Sequence, residues 1–339
     1  MHDLVVAGGG PVGLATALYA ARAGLDTVVL EPRDGAIDKA CGEGLMPGAV
    51  AMLAELGVSP TGVPFRGIRY VSGERRAEAR FRAGTGLGVR RTTLHAALRD
   101  AVADAGVPVI QEAVSVVRQD SEHVVANGTR ARFLVAADGL HSPVRRQLGL
   151  DLPVRGSRRY GLRAHVEVAP WTDHVEVHWS TNAEAYVTPV GPTTVGVALL
   201  TATRDGFADQ LRRFPELTAR VGDLGWSPVR GAGPLRQRTR RRVAGRVLLA
   251  GDASGYVDAL TGEGIALGLR QARAAVDAVA DGDAGRYESA WRQVTWRYEA
   301  LTRALLGVAG FSASRRALVP AAAALPRVFA AAVNELGQG

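Results

Sequence analysis

The chain has one cysteine, Cys41, and one lysine, Lys39. A single cysteine excludes an intrachain disulfide and suits a reducing compartment, so a cytoplasmic location is expected. Aromatic residues make up only 6% of the 339 residues, and the basic run Arg236 to Arg242 has none interleaved for base stacking. Nucleic acid is therefore not an expected partner. The longest apolar run, Ala317 to Val333, is broken by Pro320, Pro326 and Arg327 and falls short of the ~20 residues of a membrane span. The opening "MHDLVVAGGG" has no basic stretch and no small-residue cleavage site, so no signal peptide is expected. Zinc-type spacing is missing too. His174, Glu176 and His178 share one face of a strand, which is expected to be the wet face of an antiparallel sheet rather than a metal site. The net charge of +8 reflects arginine used throughout the chain in place of lysine.

What is present is a β-α-β pattern. "DLVVA" reads as a buried strand. A helix follows, with Pro11 in its first turn, Leu14, Ala17, Leu18 and Ala21 on one face, and Gly24 at its end. "DTVVLE" is the next strand, ending at Glu31. Residues 68–81 suggest a hairpin around Gly73, and residues 92–107 a helix with Leu94, Leu98 and Val102 inward. Between Tyr160 and Leu200 the hydrophobic period changes to two, which marks a second, antiparallel domain. "RVLLAGDASG" resumes the first pattern, a helix begins near Gly264, and the tail from Tyr287 is mainly helical.

Gly8, Gly10 and Gly13 form G-x-G-x-x-G between the first strand and the helix, a turn that lets backbone approach a pyrophosphate at a helix N-terminus. Glu31 falls where an acidic side chain can hold a ribose. Later come Asp138-Gly139 in "AADGLHSPVRR" and Gly251-Asp252 in "VLLAGDASGYVDALTGEGI". With these three elements in order, the chain resembles the FAD enzymes of the para-hydroxybenzoate hydroxylase superfamily. "KACGEGLMP" and "LTGEGIALGLRQA" are similar to its geranylgeranyl-reductase-like branch. Pro189 and Gly196 fit that branch's substrate-domain motif, whereas Tyr186, Thr188 and Ala259 stand where the branch carries Trp, Phe and Pro.

The resemblance implies an α/β, glutathione-reductase-type Rossmann FAD-binding fold with an inserted antiparallel-sheet substrate domain and C-terminal helices. The FAD-binding domain is expected at 1–68, 88–155 and 237–282, the substrate domain at 69–87 and 156–236, and the helical region at 283–339. Asp252, Gly262 and Gly264 take the flavin-contacting positions by resemblance, and Arg91 that of a pyrophosphate-facing arginine. Pro11, Val12, Pro32, Arg33, Cys41, Gly42, Glu43, Gly44, Val114, Asp138, Gly139, Gly251, Glu263 and Ile265 complete the expected cofactor contacts.

The glycines around Glu43 suit a loop lying close to a flavin ring. Cys41 is a candidate proton donor or a small packing residue, and Tyr186 a second candidate catalytic residue. Lys39 is expected to be an exposed or phosphate-facing cation. No second strand-bound G-x-G-x-x-G is present, so NADPH or NADH would act as a transient reductant. That layout resembles the single-component hydroxylases. The expected function is an NAD(P)H- and O2-dependent monooxygenase acting on a lipophilic aromatic or polyketide-like substrate, with a role in secondary metabolism. Alkene reduction of an isoprenoid lipid is the alternative, and a non-catalytic flavin-binding module is a third. Tyr186, Tyr160 and Trp179 should floor the substrate pocket, and Leu305, Phe311 and Phe329 could close it. A lipophilic substrate is compatible with peripheral membrane contact, and no obligatory protein partner is evident.

Overall fold

The computed structural model describes residues 1–154, 156 and 158–337. His2–Ala7 is the central strand of an eight-stranded sheet, flanked in parallel by Thr27–Leu30 and Thr129–Ala136. Val109–Ile110 extends the sheet beyond Thr27–Leu30, and Val247–Leu249 extends it beyond Thr129–Ala136, both in parallel. The helices Pro11–Arg22, Arg91–Asp104 and Gly264–Ala280 pack on one face. Their inward residues, including Leu14, Leu94, Leu98, Val102 and Leu269, join Leu4 and Val6 in one fully buried cluster. Such burial, about 25 cal/mol per Å2 of apolar surface, is what holds the layers together.

The hairpin expected at residues 68–81 is formed by Gly67–Ser72 and Arg75–Arg80. It joins Tyr160–Glu167, His174–Trp179, Ala183–Gly191, Thr194–Thr201 and the edge strand Arg230–Ala232 in a seven-stranded sheet. The neighbours are antiparallel except where His174–Trp179 runs parallel to Gly67–Ser72. Val175 and Val177 point to one face, toward Tyr70 and Phe329 of a second apolar cluster.

The other face of that sheet is not wet. His174, Glu176 and His178 are 1%, 5% and 8% exposed. The chain after the last long strand folds back over this face as the helices Phe207–Leu211 and Pro215–Val221, with Phe214, Leu217 and Trp171 packed against it. Buried polar groups require partners. Glu176 accepts from Arg69 Nη1 at 2.9 Å, Trp171 Nε1 at 3.1 Å and His178 Nε2 at 3.1 Å. Burial alone would raise the Glu176 carboxyl, but these donors outweigh it and hold the group down to about 2. Among the described residues no cluster of His, Cys, Asp or Glu could hold a metal ion.

Three C-terminal helices, Arg286–Ala309, Ser312–Ala324 and Pro326–Gly337, close one side of the molecule. The last two meet at 101°, and among the described residues no single helix is long and apolar enough to cross a membrane. Asn334 fastens the last helix to a sheet edge: its Oδ1 accepts from Arg82 N at 2.6 Å and its Nδ2 donates to Arg80 O at 3.0 Å.

Candidate functional site

A cavity of about 540 Å3 lies between the C-terminal ends of the parallel strands, the seven-stranded sheet and the last helix. One arm is polar and lined by glycines. The other is apolar, walled by Phe65, Ile68, Val175, Val177, Leu200, Leu235, Val333 and Leu336, among others.

The polar arm is built on the first strand-to-helix turn. Gly8 has φ +101°, and a Cβ there would lie 2.7 Å from Ala137 O. A Cβ on Gly13 would fall inside contact with Gly8 O, so only glycine lets this helix sit so close to its strand. His95, at 1% exposure, braces the turn: its Nε2 donates to Gly9 O at 2.8 Å, and its Nδ1 accepts from Ile37 N at 3.3 Å. Glu31 Oε2 accepts from Gly9 N at 2.7 Å, and Glu31 Oε1 accepts from Arg33 Nε at 2.7 Å. Burial would raise the Glu31 carboxyl, but Arg33 and the Gly9 N–H together hold it below the usual carboxylate range.

Buried Arg145 joins the two later motifs. Its guanidinium donates to Leu140 O at 3.0 Å, Ala253 O at 3.0 Å and Gln237 Oε1 at 3.1 Å, and pairs with Asp151. One side chain thus ties the turn after Asp138-Gly139 to the turn at Gly251-Asp252. Sequence reading missed both Arg145 and His95. Nothing in their spacing marks them, because the groups they join, Gly9 and Ile37 for His95 and Ala253 and Gln237 for Arg145, come from distant segments.

Of the expected site residues, Gly10, Pro11, Val12, Cys41, Gly42, Glu43, Gly44, Arg91, Asp138, Gly139, Tyr186, Gly251, Asp252, Gly262, Gly264 and Ile265 line the cavity, and Lys39 is exposed at its rim. Gly8, Gly13, Glu31, Pro32, Arg33, Val114 and Glu263 do not line it. The two glycines shape the turn from behind, and Glu31 is spent on Gly9 and Arg33. Val114 packs instead against the apolar cluster around Val5 and Val28, on the opposite face of the sheet. Glu263 is 3% exposed, and burial pushes its carboxyl up to about 8.

The floor differs from expectation as well. Tyr186 reaches the cavity, but Tyr160 lies outside it with Arg204 over its ring at 5.1 Å. Trp179 is covered by Tyr70, at 5.3 Å between ring centroids, and by Arg315. Phe311 is 74% exposed and closes nothing, because it sits at the turn between two helices. Phe329 packs on Tyr70 at 4.7 Å and Leu305 joins the same cluster, so Val333 and Leu336 form the wall. Tyr256, which sequence reading passed over, lines the cavity, and its ring packs close to Gly264.

Two buried polar atoms of residues lining the polar arm, Arg91 Nε and Asp138 Oδ1, have no partner among the described residues. Arg91 also turns its guanidinium toward Gly10. A cationic group aimed at a glycine turn and a helix beginning at Gly264 fit a diphosphate-bearing dinucleotide.

A Rossmann cleft that continues into an apolar chamber floored by a second sheet is the architecture of a flavoprotein oxidoreductase. The chain belongs to the FAD-dependent oxidoreductases: residues 1–213 match the family described as FAD binding domain. It is 31% identical over 350 residues to menaquinone reductase from Mycolicibacterium smegmatis, covering 93% of this chain and 83% of that protein. It is 29% identical over 322 residues to the chloroplastic geranylgeranyl diphosphate reductase of Oryza sativa, covering 83% and 67%. A geranylgeranyl bacteriochlorophyll reductase-like structure from Thermoplasma acidophilum superposes with TM-score 0.80 at 21% identity, covering 94% of this chain and 90% of that one.

Proposed function

We propose that this protein is an FAD-dependent reductase that saturates a carbon–carbon double bond in a lipophilic, isoprenoid-like substrate. The observation that carries the reading is the position of Cys41 in the cavity wall, on the loop that runs from Lys39, whose Nζ lies beside Gly139 of the polar arm, to Gly44, beside Val175 and Phe65 of the apolar one. Relatives named as menaquinone and geranylgeranyl diphosphate reductases support reduction over oxygenation.

Gly10, Arg91 and the N-terminus of Gly264–Ala280 would hold the diphosphate, while Asp138 and Asp252 would hold the hydroxyl-bearing portion. Bound there, FAD supplies a hydride after reduction by NADPH or NADH. The apolar arm aligns the substrate and excludes water. Cys41 gives a proton to the carbon that does not receive the hydride, and its thiolate regains one from solvent. Burial pushes the Cys41 thiol up, so it holds its proton at neutral pH and is a donor rather than a nucleophile. The N–H of Glu43 donates to Cys41 Sγ at 3.4 Å, which leaves the S–H free to point elsewhere.

Hydroxylation with O2 is the second reading, since the same water-excluding apolar arm would suit oxygen transfer. Purified, flavin-loaded protein should oxidise NAD(P)H anaerobically in the presence of a polyprenyl substrate and return a product carrying two more hydrogens. Turnover that requires O2 and adds an oxygen atom would reverse the order. Failure to bind FAD would end both readings.

A further inference from the structure

Glu43 adopts φ +58°, in the left-handed region where a side chain is strained, although glycines stand on both sides of it. It is 3% exposed. Strain at a buried acidic residue persists only if its surroundings enforce it, and here the carboxylate is the point of attachment. Oε1 accepts from Arg91 N at 2.9 Å, and Oε2 accepts from His165 Nε2 at 2.7 Å. That bond places the proton of His165 on Nε2, and its Nδ1 accepts from Arg163 Nη1 at 3.2 Å. Gly196 provides the room, because a Cβ there would lie 2.9 Å from Glu43 Oε2.

The same strands grip the rest of the loop. Arg163 pairs with Asp38 and donates to Lys39 O at 3.3 Å, and Thr188 Oγ1 donates to Gly42 O at 2.8 Å. The inserted sheet therefore holds residues 38, 39, 42 and 43, and Cys41 stands between the anchored points. We propose that Glu43, held by His165 and Arg163, is a positioning residue that fixes the Cys41 thiol at the junction of the two cavity arms. The proposal deepens the reductase reading by naming what aims its proton donor, and its main test runs without turnover, so the two can fail separately.

Because Cys41 is the only cysteine, a thiol-specific disulfide reagent such as DTNB reports on that position alone. Glu43→Gly relaxes the backbone but removes the carboxylate, whereas Glu43→Gln keeps an acceptor for Arg91 N. Loss of charge-assisted bonds should raise the labelling rate of Glu43→Gly by roughly tenfold or more, with Glu43→Gln within about threefold of the parent. FAD content should be retained in both. With a substrate that is turned over, Glu43→Gly should lower kcat by a similar factor at unchanged KM, and Glu43→Gln should restore most of it. A labelling rate unchanged in Glu43→Gly would overturn the proposal. If that variant does not fold, His165→Gln decides: faster labelling supports the clamp, and an unchanged rate rejects it.

Discussion

The hydroxyl of Tyr186 donates to the carbonyl oxygen of Leu260 at 2.6 Å, linking the substrate-side sheet to the loop that precedes the flavin-side helix. Burial drives the phenol well above its ordinary range. The bond to Leu260 commits its proton, and Tyr186 is therefore a poor proton donor to a bound molecule despite facing the cavity. Tyr186→Phe should keep FAD stoichiometry and leave kcat within a few-fold of the parent. It should lose about 1 kcal/mol of stability, read from denaturant unfolding.

Gly13 should tolerate no side chain. Even the methyl of Gly13→Ala must displace Gly8 O, which separates the first helix from its strand and spoils the turn above it. Loss of FAD binding is expected together with at least about 2 kcal/mol of stability, measured by flavin absorbance and melting.

Glu263 makes stability fall with pH. Its folded value near 8 exceeds its ordinary 4.5, so the folded state keeps a proton that the unfolded chain releases as pH rises through that window. Glu263→Gln should be more stable than the parent at pH 8, by up to about 1.4 kcal/mol per unit of the window, and should match it near pH 4. Equal stability of the two proteins at every pH would contradict this.

Glu176 has the opposite sign. Held to about 2 against an ordinary 4.5, it stabilises the fold above that ordinary value, and the contribution disappears as pH falls toward 2. Arg69→Met removes one of the three donors and leaves a buried carboxylate under-compensated. A loss of about 3 kcal/mol near neutral pH is expected, shrinking on acidification, in urea titrations across pH.

Phe311 and Val333 should behave differently. Phe311→Ser changes an exposed side chain and should leave turnover and KM unaltered. Val333→Phe intrudes on the apolar arm and should raise KM for a bulky substrate, or shift preference to a smaller one, in competition assays.

How much of this was legible in the sequence follows from the range over which each signal acts. The first β-α-β unit was readable because Gly8, Gly13 and the apolar face of Pro11–Arg22 are local constraints. The strands between Tyr160 and Leu200 announced themselves by period. What covers them did not: period two reports that a strand has two unlike faces, not that Phe207–Leu211 and Pro215–Val221 will fold back over His174 and Glu176. Gly196 illustrates the same limit. As a motif residue it signalled resemblance, but its purpose, clearance for a carboxylate 153 positions earlier, exists only in three dimensions. His165 and Arg163 look in sequence like ordinary polar positions of a strand.

The last helix supplies part of the chamber wall through Val333 and Leu336, yet the polar grip of Asn334 on the hairpin edge consists of only two bonds to the backbone. The inward residues of Pro326–Gly337 are therefore the natural place to re-engineer the length of chamber offered to a substrate.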